Sequence, residues 1–206
     1  MQQLIILSSV VILLGCNSSN NSNNDLSDPT PVAELQSPIE TAFNYEDFPI
    51  LKGALGSIRI GMAITEAEKQ FKGLTKKTDE AVWFGFGGGS PAYLYYLDEE
   101  LVFGLIPRLN TDSLLIIIAV SEKLKATNGL NPGSTVSEMV HTYPGLTFER
   151  DLMNGWEVFE DRSNRWDFVF CTDNTNQIGE YAEKINEQSP SKPVRLGAKS
   201  DWIAIK

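Results

Sequence analysis

The chain contains an internal repeat at a spacing of 72 residues. Residues 59–74 (RIGMAITEAEKQFKGL) align without gaps on residues 131–146 (NPGSTVSEMVHTYPGL). Four positions are identical in the two copies: Gly61 and Gly133, Glu66 and Glu138, Gly73 and Gly145, and Leu74 and Leu146. Self-similarity at a fixed spacing indicates that one supersecondary unit occurs twice. The fold must therefore accommodate two similar units in one chain.

Each copy has the pattern of a short helix that follows a glycine. The opening glycine permits a tight turn or a positive φ. Apolar residues then recur at spacings of three, four and seven, which is one face of a helix: Ile64, Ala67 and Phe71, and Val136, Met139, Val140 and Tyr143. Thr135 and Glu138 have the spacing of a capping box, and Thr65 and Glu68 repeat that spacing in the first copy. The second glycine of each copy falls where helices commonly end.

After each helix the sequence changes to the pattern of β-strands. The predicted strands are residues 81–86, 92–97, 101–106, 114–121, 146–151, 155–161, 166–172 and 202–205. Residues 114–120 are apolar throughout, which predicts a central strand covered on both faces. Residues 176–188 have apolar residues at helical spacing and form either an inserted helix or a loop. The sequence therefore predicts an α+β fold of two tandem units, about residues 55–127 and 128–206, each a short helix followed by an antiparallel meander.

The opening of the first copy also carries a family resemblance. Residues 59–67 (RIGMAITEA) resemble the start of small domains of bacterial envelope lipoproteins. These include the outer-membrane assembly lipoprotein family and the tandem-repeat β-lactamase-inhibitor-like fold. Such domains have no catalytic residues and bind other proteins through a sheet face and loops. The resemblance implies a non-enzymatic recognition domain.

The N-terminal region combines an uncharged apolar run with a cysteine. Residues 4–14 (LIILSSVVILL) carry no charge, and a polar tract follows Cys16. As a helix this run would span about 16 Å, roughly half of a bilayer's hydrocarbon core, which suits the apolar region of a secretory signal. Leu13-Leu14-Gly15-Cys16 resembles the lipobox of bacterial lipoprotein precursors. An ordinary cleaved signal or an uncleaved apolar end is the alternative.

The lipobox resemblance implies a lipid anchor. Residues 1–15 would be a signal peptide cut between Gly15 and Cys16, and Cys16 would carry diacylglycerol and an N-linked acyl chain such as palmitate. Two or three acyl chains hold a protein stably in a membrane. In that family an Asp after the lipidated Cys typically retains the protein in the inner membrane, so Asn17 implies the outer membrane. Residues 16–41 are predicted to be a disordered polar tether that precedes a globular domain at residues 42–206.

Charge and metal-ligand content exclude several function classes. The formal net charge of −10 and the sequence pI near 4.6 argue against a nucleic-acid partner and against electrostatic binding to anionic lipid. His141 is the only histidine, which excludes zinc sites that need several, and no metal or cofactor is predicted. Cys171 lies in an apolar run and is predicted to be a small buried hydrophobe, with a reactive thiol or an intermolecular disulfide as alternatives.

Three further patterns have both a chemical and a structural interpretation. Residues 85–90 (GFGGGS) lack the lysine of a phosphate-binding loop, which favours a hairpin connection. His141 and Cys171 could form a base–nucleophile dyad, but His141 aligns with Lys69 on the outward side of the repeat helix. Five acidic residues could supply a glycosidase pair or a calcium site, although charges on strand faces normally meet solvent: Glu157, Glu160, Asp161, Asp167 and Asp173.

Aromatic residues concentrate in one short region of each half, and this pattern bears most directly on function. Four of them are the candidate binding surface: Trp83, Tyr93, Tyr95 and Trp156. The sequence predicts a non-catalytic, lipid-anchored protein of the bacterial envelope that binds another envelope protein or assists envelope assembly. The alternative is an envelope hydrolase or carbohydrate-binding module that uses surface carboxylates and aromatics. A binding domain should expose an apolar patch, whereas an enzyme should gather carboxylates in a cleft.

Overall fold

The structure is a computed structural model of the 206-residue chain, and it describes residues 42–173, 175–181 and 191–206. The predicted signal peptide, Cys16 and the tether (residues 1–41) lie outside the described residues. The described fold mixes helices and strands and is dominated by strands in two sheets, as expected for the α+β class.

The smaller sheet has three short antiparallel strands, which the sequence patterns do not predict: β1 (Ile50–Leu51), β2 (Ala54–Leu55) and β3 (Ile58–Arg59). The larger sheet has eight: β4 (Thr75–Glu80), β5 (Pro91–Leu97), β6 (Glu100–Pro107), β7 (Leu114–Ala119), β8 (Glu149–Arg150), β9 (Glu157–Asp161), β10 (Trp166–Phe170) and β11 (Trp202–Ile205). Their spatial order is β4-β5-β6-β7-β11-β10-β9-β8, and every neighbouring pair is antiparallel.

β7 occupies the middle of the large sheet, between β6 and β11. Its residues Ile117 and Ile118 point to opposite faces, and both are fully buried. An apolar residue at nearly every position suits a strand that is covered on both sides. The prediction of a central strand in this segment is confirmed.

Two short helices pack on one face of the large sheet. Helix α1 (Ile64–Ala67) continues as a 3₁₀ turn (Glu68–Gln70), and helix α2 is Val136–Thr142. Their inward residues are buried in one apolar core with sheet residues such as Phe103 and Phe168: Ile64, Ala67, Val136 and Met139. The predicted inward positions of these four residues are confirmed, whereas Phe71 and Tyr143 lie just past the helix ends and pack partly buried against the same core.

Each helix is joined by backbone hydrogen bonds to residues at or just before a later strand, β7 for α1 and β11 for α2. The glycine before the helix and the first helical residue each donate one bond. The bonds run from Gly61 N–H to the Leu114 carbonyl (2.8 Å), from Ile64 N–H to Asp112 (2.8 Å), from Gly133 N–H to Ser200 (2.9 Å) and from Val136 N–H to Ala198 (2.8 Å). Gly61 and Gly133 have φ of +87° and +89°, so the positive φ predicted for the opening glycines is confirmed.

A second apolar core lies on the opposite face of the large sheet. It contains Ile106, Ile118 and Trp202, and a 3₁₀ helix (Ala81–Phe84) packs against it. Residues 81–86 are therefore not the strand that the sequence predicts. Ala81 is fully buried whereas Trp83 is 65% exposed, so the aromatic residues of this segment do not line one face of a strand.

Other predicted elements need correction as well. β4 was not predicted because its residues (TKKTDE) are all exposed and show no apolar alternation. The strand predicted at 146–151 is confined to β8, two residues long. Helix α1 begins after Ala63, which makes no side-chain cap, so the predicted capping role of Thr65 and Glu68 is wrong. Residues 176–181 contain no helix, and the rest of the segment predicted there lies outside the described residues.

Candidate protein-binding surface

The 3₁₀ helix Ala81–Phe84 is fixed against the second core by its backbone. Ala81 N–H donates to the Ser90 carbonyl (3.1 Å), and Phe86 N–H donates to the Ala81 carbonyl (3.1 Å). Gly85 ends the helix with φ of +82°, and a Cβ atom placed there would lie 3.2 Å from Cζ3 of Trp156. The loop from the first half therefore packs tightly on the second half at this glycine.

Three aromatic side chains, Phe84, Trp156 and Trp202, pack between this loop and the large sheet. Phe84 and Trp156 both contact the Trp202 ring edge to face. The ring centroids of Phe84 and Trp202 are 5.4 Å apart with an interplanar angle of 73°, and those of Trp156 and Trp202 are 5.2 Å apart with an angle of 84°. Such T-shaped pairs contribute about 0.5–1.5 kcal/mol beyond the area they bury. This packing holds in place the 3₁₀ helix that carries Val82 and Trp83.

The turn between β8 and β9 reaches the same place from the second half. The Asp151 carboxylate accepts hydrogen bonds from Met153 N–H (2.8 Å) and from Nδ2 of Asn154 (2.7 Å). Gly155 N–H also donates to the Asp151 carbonyl (2.7 Å). These bonds fix the turn with the Leu152 and Met153 side chains outward, next to Asn154, which lies near Gly85.

Four apolar side chains are exposed on these two segments, which approach each other at Gly85 and Asn154. The exposed fractions are Val82 47%, Trp83 65%, Leu152 52% and Met153 95%. We call these four residues the apolar surface. Two exposed carboxylates, Asp79 and Glu80, lie just before it in the chain. Exposed aromatic and methionine side chains on a fixed frame are typical of protein-binding sites.

The structure separates the four aromatic residues of the predicted binding surface. Trp156 packs partly buried against the second core, and Trp83 is exposed on the 3₁₀ helix whose residues Ala81 and Phe84 pack there. Tyr95 is 2% exposed in the helix-side core and donates its hydroxyl to Glu68 (2.7 Å), and Tyr93 lies partly buried on that same side. The inclusion of Tyr93 and Tyr95 in one surface with Trp83 is therefore wrong, because residues two apart on β5 face the helices together.

Sequence reasoning missed three residues of the apolar surface: Val82, next to the predicted Trp83, and the two turn residues Leu152 and Met153. The signal of the two turn residues is the run Asp-Leu-Met-Asn-Gly, in which two large apolar residues sit between the polar residues of a turn. Large apolar residues in such a turn have no strand or helix face through which to reach a core.

The strand carboxylates do not gather in a cleft. Glu157 is fully buried and accepts two short hydrogen bonds, from Ile178 N–H and Gly179 N–H (2.6 Å each). Asp161 is 6% exposed and accepts from the Tyr143 hydroxyl (2.6 Å) and Nδ2 of Asn164 (2.7 Å). The prediction that these strand charges meet solvent is wrong for Glu157 and Asp161, because both face the helix side, where Tyr143 at the end of α2 and loop residues supply donors.

Their surroundings shift the pKa values of two of these acids in opposite directions. Burial acts to raise the pKa of Asp161, but hydrogen bonds from Tyr143 and Asn164 outweigh it and the pKa is lowered. Burial raises the pKa of Asp167 despite its ion pair with Lys206. Glu160 pairs with Arg162 (3.1 Å), and Asp173 is exposed and accepts from Thr175 N–H (2.7 Å). Each acid thus has a local structural partner, and the described residues contain no cluster suited to a metal ion.

Cys171 and His141 do not form a dyad in the described structure. Cys171 follows the last residue of β10 and is exposed, so the prediction of a buried cysteine is wrong. Partial desolvation and the neighbouring Asp201 carboxylate raise the pKa of the thiol to about 12, opposite to what a thiolate nucleophile needs. His141 is exposed on α2, and no hydrogen bond joins it to Cys171.

Some surface depressions elsewhere are lined by charges that pair with one another. One of about 890 Å³ includes Tyr45, Glu100 and Lys123, with Lys123 Nζ 2.6 Å from Glu100 and 5.0 Å from the Tyr45 ring centroid. In the part of the chain that the structure describes, no helix has the length and apolar character needed to span a membrane.

Comparisons with known proteins add a structural similarity. No protein-family model matches the chain, and no curated protein matches it significantly. The crystal structure of the uncharacterised protein yfeY from Escherichia coli is similar to this chain, with 12% identity and a TM-score of 0.48. The similarity covers 77% of this chain and 96% of that chain.

Proposed function

We propose that this chain is a lipid-anchored protein of the bacterial envelope whose globular domain binds another envelope protein without catalysis. One observation carries the binding role: Trp83 and Met153 are 65% and 95% exposed on a frame held by aromatic packing and turn hydrogen bonds. Exposing such side chains stabilises nothing in the isolated chain, whereas burying them against a partner would be favourable. The buried acids Glu157 and Asp161, by contrast, are already satisfied by structural donors.

Two tandem units of one helix and four strands build the domain in this proposal. The strand order β4-β5-β6-β7 followed by β11-β10-β9-β8 supports it, because the second set repeats the first in reverse across the sheet centre. The equivalent hydrogen bonds of Gly61 and Gly133 support it as well, since these glycines are aligned in the repeat.

Matching aromatic clusters also favour tandem units. Phe71 contacts a cross-strand pair, Tyr95 and Phe103, with ring centroids 4.8 Å and 5.1 Å away. Tyr143, the residue aligned with Phe71, contacts another cross-strand pair on the corresponding strands, at 4.9 Å and 6.5 Å: Phe159 and Phe168. Aligned positions thus perform the same packing task in both halves.

The anchor is proposed from the sequence, since Cys16 lies outside the described residues. The apolar run of residues 4–14 and the Leu13-Leu14-Gly15-Cys16 sequence support lipidation at Cys16. A tether of roughly 22 residues has an r.m.s. span of about 25 Å, which would hold the domain clear of the lipid. Asn17 supports placement in the outer membrane.

Crosslinking in intact cells followed by mass spectrometry tests the binding role. The wild-type chain should give a recurrent envelope protein as its crosslinked partner, and Trp83→Ser combined with Met153→Ser should lose most of that product. Leu196→Ser is the matched control, because Leu196 is 50% exposed but lies beside α2. Absence of any recurrent partner, or equal loss in the control, would contradict the proposal.

A further inference from the structure

β4 forms one edge of the large sheet. It pairs with β5 through all six residues, and within residues 42–173, 175–181 and 191–206 no strand pairs with its other edge. Every residue of β4 is exposed. The outer N–H and C=O groups of such a strand are available to another strand.

The charges along β4 are arranged in two blocks of opposite sign. The strand reads Thr-Lys-Lys-Thr-Asp-Glu, with Lys76 and Lys77 on one side of Thr78 and Asp79 and Glu80 on the other. An antiparallel copy centred on Thr78 would place Lys77 opposite Asp79 and Lys76 opposite Glu80. A two-fold axis makes each of these pairs occur twice.

The faces of β4 agree with this pairing. Lys76 lies on the helix side, where its Nζ is 2.6 Å from Glu68 and 4.0 Å from the Tyr93 ring centroid. Alternation places Glu80 on the helix side with it and puts Lys77 and Asp79 on the opposite face. In a sheet continued across the edge, opposite charges would therefore meet on the same face.

Neighbouring registers are unfavourable for a second copy. Residues of the same sheet face stay opposite each other only if the second copy slides along β4 in steps of two residues. One such shift places Lys77 opposite the Lys77 of the other copy, and the reverse shift places Asp79 opposite Asp79. Like charges directly opposite each other destabilise a strand pair. Of these three registers, only the one centred on Thr78 matches every charge.

We propose that two copies of this chain associate through antiparallel pairing of their β4 strands, centred on Thr78, to form one continuous sheet. Lys77, Asp79 and Glu80 have no ion pair within the described part of the chain, so they are available to the second copy. This proposal is argued from the charges and the free edge of β4, and it does not rest on the apolar surface or on the proposed partner.

A charge exchange tests this pairing in the full-length chain. Lys77→Glu places an acid opposite Asp79, and Asp79→Lys places a lysine opposite Lys77, so each variant repels a copy of itself. Mixed together, the two variants restore every opposite-charge pair. Sedimentation velocity in detergent should show a wild-type dimer, an approximately tenfold or greater weakening of self-association in each variant, and recovery in the equimolar mixture.

Lys52→Glu is the control, because Lys52 is exposed away from β4 and the change of charge is the same. It should dimerise like the wild type, and thermal unfolding should show that all variants fold. A monomeric wild type, or a dimer that the β4 variants leave unchanged, would overturn the proposal. A monomer whose β4 amides exchange slowly would overturn it too, because a segment of the same chain would then cover the edge.

Discussion

Glu157 is a buried acid that connects β9 to a distant loop through hydrogen bonds. Its carboxylate is fully buried on β9 and accepts two backbone N–H groups from residues 178 and 179. A buried carboxylate is costly unless it is hydrogen-bonded, and these donors come from a loop about twenty residues away in the chain. The sequence could not predict this burial, because the donors are backbone groups whose position depends on the fold.

Replacing Glu157 by Gln should destabilise the domain by about 2 kcal/mol, since one charge-assisted bond is lost and an amide N–H would face a backbone N–H. Glu160→Gln is the matched control on the same strand, because Glu160 faces the other side and pairs with the exposed Arg162. Its effect should stay below about 0.5 kcal/mol. Urea unfolding measures the change in unfolding free energy for both variants. Equal changes would contradict a stabilising role for the hydrogen bonds of Glu157.

Tyr143 and Asp161 predict a pH-dependent effect. The Tyr143 hydroxyl donates to Asp161 at 2.6 Å and helps lower the pKa of that carboxyl. A lowered pKa means that Asp161 contributes stability above its unfolded pKa of about 3.9, and that this contribution is lost as the pH falls through the folded value. Tyr143→Phe should therefore cost most stability near pH 7 and progressively less below about pH 4.

Unfolding free energies of wild type and Tyr143→Phe, measured from pH 7 to acid, provide the check. The difference between the two proteins removes the contribution of other acids. A difference that stays constant with pH would contradict the assigned role of this hydrogen bond.

At the scale of elements, the two helices differ in their caps. Thr135 accepts a hydrogen bond from Glu138 N–H (3.2 Å), and the Glu138 carboxylate accepts from Thr135 N–H (2.7 Å). The predicted capping box is thus confirmed in α2. Ala63 occupies the aligned position before α1, with a similar extended backbone (φ −66°, ψ 141°), and makes no side-chain bond.

Thr135→Ala should therefore destabilise the domain by about 1 kcal/mol, and Ala63→Ser should stabilise it by several tenths of a kcal/mol or more. Ser at position 63 would stand three residues before Glu66, the spacing that α2 uses. Differential scanning calorimetry of the two variants measures both effects. A destabilised Ala63→Ser would show that the two helix starts are not equivalent.

The elements that the sequence predicts correctly are those with strong apolar patterns. β5, β6, β7, β9, β10 and β11 lie within or beside the predicted ranges, and β7 is central as its apolar run indicates. β4 escapes prediction because an edge strand with two solvent-facing sides carries no alternation. The aromatic content of residues 81–86 suits a strand, but Ala81–Phe84 form a 3₁₀ helix that ends at left-handed Gly85 and packs through Phe84 on Trp202.

At the scale of the whole molecule, the large sheet separates two kinds of aromatic residue. Aromatic residues on the helix side, such as Tyr95, are buried in the core, whereas Trp83 is exposed outside the second core. Sequence reasoning identified Trp83 and Trp156 but could not pair them with Leu152 and Met153. That proximity depends on a tertiary contact at Gly85, which no local pattern encodes.

The exposure of Trp83 predicts that it contributes little to stability. Trp83→Ser should change the unfolding free energy by less than about 0.5 kcal/mol, because most of its side chain already meets water. Trp156→Ala should cost about 2 kcal/mol or more, since it removes the edge-to-face contact with Trp202. Chemical denaturation distinguishes the two. A large loss for Trp83→Ser would assign it to the core and remove the reason for proposing a binding role.

A lipid anchor would make the envelope the place where this surface meets its partner, so the mass of the mature N-terminal peptide is the most direct test. The wild-type peptide should begin at Cys16 and carry diacylglycerol. Cys16→Ser should remain uncleaved and lose that lipid, whereas Cys171→Ser should process normally. An unmodified Cys16, or unchanged processing and membrane fractionation in Cys16→Ser, would contradict a lipid-anchored envelope protein.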